Sequence, residues 1–283
     1  MTDPARLARE STAPPDLFFS VVVGLYAVLL AAPVAAELAA LAVTNGAVLY
    51  VLFLASAGVL IATVSLAVRR ARGVAVRLGA TTRAWAIPIV AAVAAVGQLV
   101  VWSRAGDAAV RSVAFGAAFA SLLGALVGLA VVSMVRTRFA AAVVDGGTVE
   151  RAFSAGWPAR QRRRAQYAGG LLMIVGGLGF VADSLRSLEW AFLGGELLLI
   201  AGVALATAPR TREYRVTPDG LELAHPLIRR FVDWETLAGY AVTDDALYVR
   251  WRAWWRPRLR IALADLDDPD AVIAALDAHL PRA

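Results

Sequence analysis

Pro209-Arg-Thr-Arg-Glu-Tyr-Arg-Val-Thr-Pro-Asp-Gly-Leu-Glu-Leu223 divides the chain. Glu213 to Thr217 alternates polar and apolar residues as a half-buried strand does, and Pro218-Asp219-Gly220 supplies turn chemistry. Leu221 to Ala224 then continues as a partner strand, so the stretch predicts a β-hairpin. Upstream of Pro209 the sequence is a succession of long apolar runs, and downstream it is strand-like to the last helix. The predicted organisation is a polar, disordered cytoplasmic lead over 1–16, a six-helix transmembrane domain over 17–208, and a β-rich cytoplasmic domain over 209–283.

Hydrophobic residues make up 59% of the 283, above the share of ordinary soluble domains, which points to a membrane protein. The net charge of +6 is unevenly placed. Residues 1–209 hold 17 Arg and ten acids, whereas 210–283 hold 11 Arg and 12 acids. A basic excess confined to the apolar part reports orientation in a bilayer and argues against a nucleic-acid partner, which would require a basic soluble face. All 28 basic residues are Arg, a bias read as one of coding. No Cys is present, so disulfides, thiolate metal sites and Cys nucleophiles are excluded.

Leu17 to Val43 is apolar apart from Ser20 and Glu37, long enough to cross a bilayer. Leu17 to Leu30 could alternatively be a signal-peptide core with Ala-Ala-Pro-Val-Ala-Ala (31–36) as its cleavage region, although the apolar run continues past that point. Thr44-Asn45-Gly46 turns into a second span, Ala47 to Val68. The following loop, with Arg69, Arg70, Arg72, Arg77 and Arg83 and no acid, is expected on the cytoplasmic side. Trp85 and Trp102 bracket a third span, and Ser112 to Val135 is a fourth. The Arg-rich loop 136–167 is again expected inside, with Thr148 to Ser154 as a short interfacial helix and Arg160 to Arg164 near anionic headgroups. Ala168 to Ala182 and Trp190 to Ala208 complete six spans, with both termini cytoplasmic in a cell membrane.

Within those spans, Glu37 and Glu196 fall at matching depth, roughly 9 Å below the outer surface at about 1.5 Å per residue. Gln98 falls at a similar level. Such acids usually face protein or water, so these three residues are a candidate intramembrane polar site, either cation-binding or simply hydrogen-bonded between helices. Gly116, Ala120, Gly124 and Gly128 recur every four residues, a small-residue face suited to packing on another helix of this chain or of a second copy.

Beyond the hairpin, strands are expected at Arg229 to Trp234, Gly239 to Thr243, Ala246 to Arg252 and Arg258 to Leu263. Asp268-Pro269 then opens a helix reaching about Leu280, striped by Val272, Ile273, Leu276 and Leu280. This order, with Tyr214, Val216, Asp219, Gly220, Arg230, Trp234 and the terminal helix, resembles the prokaryotic PH-like domain family found attached to membrane spans. The resemblance covers 210–282. It implies a strongly bent sheet or partial barrel closed at one end by the helix, without implying phosphoinositide binding.

The hairpin from Leu247 to Leu263 is the most informative pattern. Leu247, Val249 and Trp251 alternate with Tyr248, Arg250 and Arg252, and Leu259, Ile261 and Leu263 alternate with Arg258 and Arg260. Keeping both apolar sets on one face requires paired residue numbers with an even sum. A sum of 510 puts Arg252 opposite Arg258 and Arg250 opposite Arg260, an unfavourable ladder of like charges that wants an anion. Lipid phosphates could supply it, with Trp254 and Trp255 seated among the headgroups. Acids such as Asp233 or Glu222 could equally lie across it.

His225 and His279 have no second imidazole or carboxylate at metal or catalytic spacing, and without Lys there is no phosphate loop. No cofactor is expected. The expected function is non-enzymatic: a multi-pass membrane protein displaying an interaction module that touches anionic headgroups or a cytoplasmic protein. The rival is a small ion-coupled transporter using Glu37, Gln98 and Glu196.

Overall fold

A computed structural model describes residues 15–40, 45–145, 147–186, 189–225 and 228–282. The side chains of 32–33, 36–40, 46, 49, 108–109, 180, 182–186 and 189–194 lie outside that description. The chain divides by its contacts into two units, 1–147 with 226–231 and 148–225 with 232–283. The fifth and sixth apolar segments group by contacts with the β-rich part.

The first unit contains α1 (Leu17–Ala40), α2 (Gly46–Arg70), the short α3 (Val74–Gly79), α4 (Ala86–Arg104) and α5 (Ala108–Val144). Asp16 starts α1 by accepting the Phe19 N–H at 2.7 Å, and Asn45 caps α2 by accepting from Ala47 and Val48. Among the described residues, three helical stretches are long and apolar enough to cross a membrane: Tyr50–Arg70, Thr82–Arg104 and Val110–Val144. Leu17–Ala31 and Gly195–Thr207 are shorter apolar stretches. Trp85 and Trp102 stand at the two ends of the α4 span, roughly 25 Å apart along the helix axis.

α5 outruns the expected Ser112 to Val135. It continues through Arg136 and Arg138, because no Gly or Pro interrupts 129–145 and both cations find partners. Arg136 lies over the Trp85 ring at 5.2 Å, while Arg138 lies over Phe19 at 4.5 Å and pairs with Asp16. That accepted N–H and the Arg138 guanidinium hold the Asp16 carboxyl below its usual range. α3 packs so tightly that a Cβ on Gly79 would sit 2.2 Å from the Val135 carbonyl oxygen.

The second unit interleaves helices with strands. β1 (Arg151–Ala155) precedes a helical hairpin, α6 (Ala159–Arg186) and α7 (Glu189–Thr207), and β2 (Arg212–Thr217) follows it. The expected short helix at Thr148 to Ser154 is therefore a strand. Seven residues are too few to support a helix alone, whereas β2 offers a complete antiparallel ladder from Arg151↔Val216 to Ala155↔Arg212. Phe153 stacks on Tyr214 across that ladder at 5.2 Å. The helices of the hairpin touch backbone to backbone: a Cβ on Gly202 would meet the Gly169 carbonyl oxygen at 2.7 Å, and one on Gly176 would meet that of Gly195 at 2.7 Å.

β3 (Gly220–His225), β4 (Ile228–Asp233), β5 (Leu237–Val242), β6 (Ala246–Trp251) and β7 (Leu259–Ala262) follow, then α8 (Pro269–Asp277). They form two antiparallel sheets ordered β1-β2-β3-β4 and β5-β6-β7. No closed barrel is present among the described residues. One core of Tyr214, Val216, Leu221, Leu247, Ile261 and Leu276 joins both sheets to α8. Asp268 caps α8 on the Ala271 N–H, with Pro269 as its first residue. Gly239, at a β5 bulge, has φ +148°, and a Cβ there would lie 2.6 Å from the Pro281 carbonyl oxygen.

Candidate functional site: the β6–β7 loop

β6 and β7 pair from Ala246↔Ala262 to Val249↔Leu259, a residue sum of 508 in place of the expected 510. Leu247, Val249 and Ile261 point into the core, so the even-sum requirement holds. The two predicted Arg–Arg rungs do not form. Arg260 faces Tyr248 across the ladder and lies over the Trp157 ring at 5.2 Å, while Arg250 pairs with Gly239 on its β5 side. The reason lies at Trp251. Its mostly buried indole donates to the Pro257 carbonyl at 2.9 Å, so the loop opens to 252–258 and displaces β7 by two residues.

That loop is ordered from inside. The Arg252 N–H donates to the Thr236 carbonyl, the Arg256 N–H donates to the Ala253 carbonyl, and the Arg256 guanidinium lies 5.0 Å from the Trp251 ring. Trp254 and Trp255 project from its tip, 88% and 69% exposed, edge to face at 6.2 Å. Arg250, Arg252, Arg256 and Arg258 are exposed, and among the described residues none of them pairs with an acid. Arg256 was absent from the sequence-based set because the 510 register assigned it to the turn.

The acids proposed to neutralise the arginines are engaged elsewhere. Asp233 accepts from the Glu235 N–H, and Glu222 is fully buried opposite Arg215, 3.7 Å from its guanidinium. Others gather at a cleft of about 420 Å³ beside β1, lined by Arg151, Ser154, Glu213, Asp265, Asp267 and Asp268. There Asp265 accepts from the Gly156 N–H, Asp268 both caps α8 and pairs with Arg151, and Glu213 pairs with Arg215. Among the described residues, no three His, Asp or Glu side chains form a group able to hold a metal ion.

Elsewhere in the module, Tyr240 donates to Asp277, and burial followed by that hydrogen bond pushes its phenol up to about 12. Burial also raises the Tyr214 phenol. His279 stacks on Trp234 at 4.8 Å and meets Glu150 at 2.8 Å, tying the C-terminal turn to the start of β1.

The helical candidates stand as follows. Gln98 is half-buried in α4, with its Oε1 buried and without a hydrogen-bond partner among the described residues. Glu196 is half-buried in α7 of the second unit. The Glu37 backbone belongs to α1, and its side chain lies outside the described residues. Of the small-residue face on α5, Gly124 and Gly128 are spent inside the unit, where a Cβ would reach Leu29 at 3.4 Å and Pro88 at 3.0 Å. Ala120 is half-buried, and Gly116 faces open space.

No family model, curated protein or solved structure matches the chain.

Proposed function

We propose that the chain is a six-span integral membrane protein of the cell membrane, with both termini cytoplasmic, that displays a PH-like module as a non-enzymatic interaction surface. The observation that carries this is the loop tip: among the described residues, two adjacent tryptophans stand exposed beside arginines without acid partners, on a module that leaves no other large apolar side chain more than half exposed. Exposed aromatic and Arg residues are the side chains that dominate binding surfaces. Two sheets sharing a core with a terminal helix support the PH-like assignment. The Arg-rich segments 69–83 and 136–164 support the orientation.

A photoreactive amino acid placed at Trp255 in the full chain, in cells, tests the proposal against the same probe at exposed Ala264. Adducts to lipid or protein are expected from position 255 alone. Equal and negligible adducts at both positions would remove the interaction-module assignment.

A second reading, an ion-coupled transporter using Glu37, Gln98 and Glu196, is favoured by one observation, the buried Gln98 Oε1, which has no partner among the described residues. It predicts cation uptake into proteoliposomes that Glu37→Gln and Glu196→Gln each abolish.

A further inference from the structure

We propose that the partner of the β6–β7 loop is the anionic phospholipid leaflet in which the chain itself sits, with phosphates on Arg250, Arg252, Arg256 and Arg258 and the Trp254–Trp255 pair among the headgroups. This rests on the membrane-protein reading above and assigns the occupant that reading leaves open.

Charge complementarity is the first support. Residues 210–283 contain one more acid than Arg, yet no acid falls within 246–262. Acids line the cleft beside β1, and the loop presents four guanidiniums with no acid beside them among the described residues. A guanidinium offers a planar fork of N–H donors that matches a phosphate, and several together on an ordered loop address a sheet of phosphates better than one small anion. Indole rings favour the boundary between headgroups and acyl chains, where their apolar body and N–H are both accommodated.

Position is the second support. The module hangs on two tethers: β1 runs into α6 through residues 156–158, and β2 leaves α7 through 208–211. The first tether is locked to the second sheet. The Ala262 N–H donates to the Gly156 carbonyl at 2.9 Å, Trp157 lies beneath Arg260, and Gln161 in the first turn of α6 donates to the Tyr248 hydroxyl at 2.8 Å. Tyr248 is six residues from Trp254, so the tip lies within roughly 20 Å of Tyr248 at about 3.4 Å per residue. The first two turns of α6 carry the exposed Arg160, Arg162, Arg163 and Arg164. A juxtamembrane cluster and a tip of four more arginines give the leaflet two contacts from one unit, and membrane attachment by surface contacts is firm when more than one signal acts.

The chain has no Cys, so Ala253→Cys installs a single reactive site in the loop. The spin-labelled full chain is reconstituted into vesicles of phosphatidylcholine alone, or mixed equally with phosphatidylglycerol. Flotation and resistance to alkaline extraction first establish insertion. In anionic vesicles the label is expected to be shielded from a water-soluble nickel reagent and reachable by oxygen, and in neutral vesicles to remain in water. Each arginine reversed weakens the contact at least about fivefold, so Arg250→Glu/Arg258→Glu returns the label to water. Trp254→Ser/Trp255→Ser, which leaves the charges intact, should reduce the shielding as well, with protease resistance confirming the fold of both variants. An inserted, folded chain whose label stays in water in both lipids overturns the proposal. Equal shielding in both lipids also overturns it, by assigning the tip to another protein surface. A chain that fails to insert overturns the membrane-protein reading itself.

Discussion

Along the helices, large apolar side chains such as Val93, Val96, Leu171 and Leu178 stand more than half exposed. From Pro209 to the end, only Trp254 and Trp255 do so among the described residues. The helical part is therefore built for an apolar surrounding, and the β module for water with one two-residue breach. Such a breach at the tip of an ordered hairpin, ringed by arginines, follows the rule of the helices within a domain that otherwise follows the opposite one.

Core truncation in the module should show the largest effect. Leu247→Ala empties a fully buried position and is expected to cost about 4 kcal/mol, read as loss of the module's protease resistance, while Trp255→Ser should change stability by less than about 0.5 kcal/mol. A comparable loss at Trp255 would mean that the tip belongs to the core and the contrast is false.

The helical hairpin should discriminate between neighbouring glycines. Gly176→Ala drives a Cβ into the Gly195 carbonyl and is expected to lower stability by about 2 kcal/mol, whereas Gly177→Ala enters open space and should hold or raise it. Thermal unfolding of the solubilised chain distinguishes the two. Equal losses would show that the hairpin is not closed by backbone contact.

A further effect concerns pH. The Tyr240 phenol, pushed up to about 12, is protonated in the fold at pH values where an unfolded tyrosine, near 10, has begun to ionise. Its contribution is complete below pH 10 and is lost as pH rises through 12. The melting temperature of the module should fall across that window, and Tyr240→Phe should flatten the fall. A decline of equal depth in the variant would assign it to other groups.

Most strands were legible in the sequence because alternation marks them directly: β2, β3, β6 and β7 lie where apolar residues recur every second position. β1 was not, since its partner lies about sixty residues on, beyond a helical hairpin, and Arg-Ala-Phe-Ser-Ala signals little by itself. The parity of the β6–β7 pairing was legible, because burial of Leu247, Val249 and Ile261 demands it. The register was not, because it depends on where the Trp251 N–H finds an acceptor. The exposed tip was visible as residue types, while the vacancy of acids around it depended on where Asp233 and Glu222 turned. Of the proposed intramembrane set, only the buried Gln98 Oε1 and the half-burial of Glu196 are added to what the spacing offered.

In the proposed topology the α6–α7 hairpin crosses the bilayer and returns the module to the face that holds the Arg-rich loops. It is tested most directly with four single-cysteine chains, Ala71→Cys, Gly106→Cys, Arg186→Cys and Ala253→Cys, treated with an impermeant thiol reagent in sealed right-side-out and inverted vesicles. Labelling at 71 and 253 from the cytoplasmic side, with 106 and 186 labelled from the opposite side, is the predicted result. Labelling of 186 from the same side as 71 would contradict the account, leaving α6 and α7 on one face of the membrane.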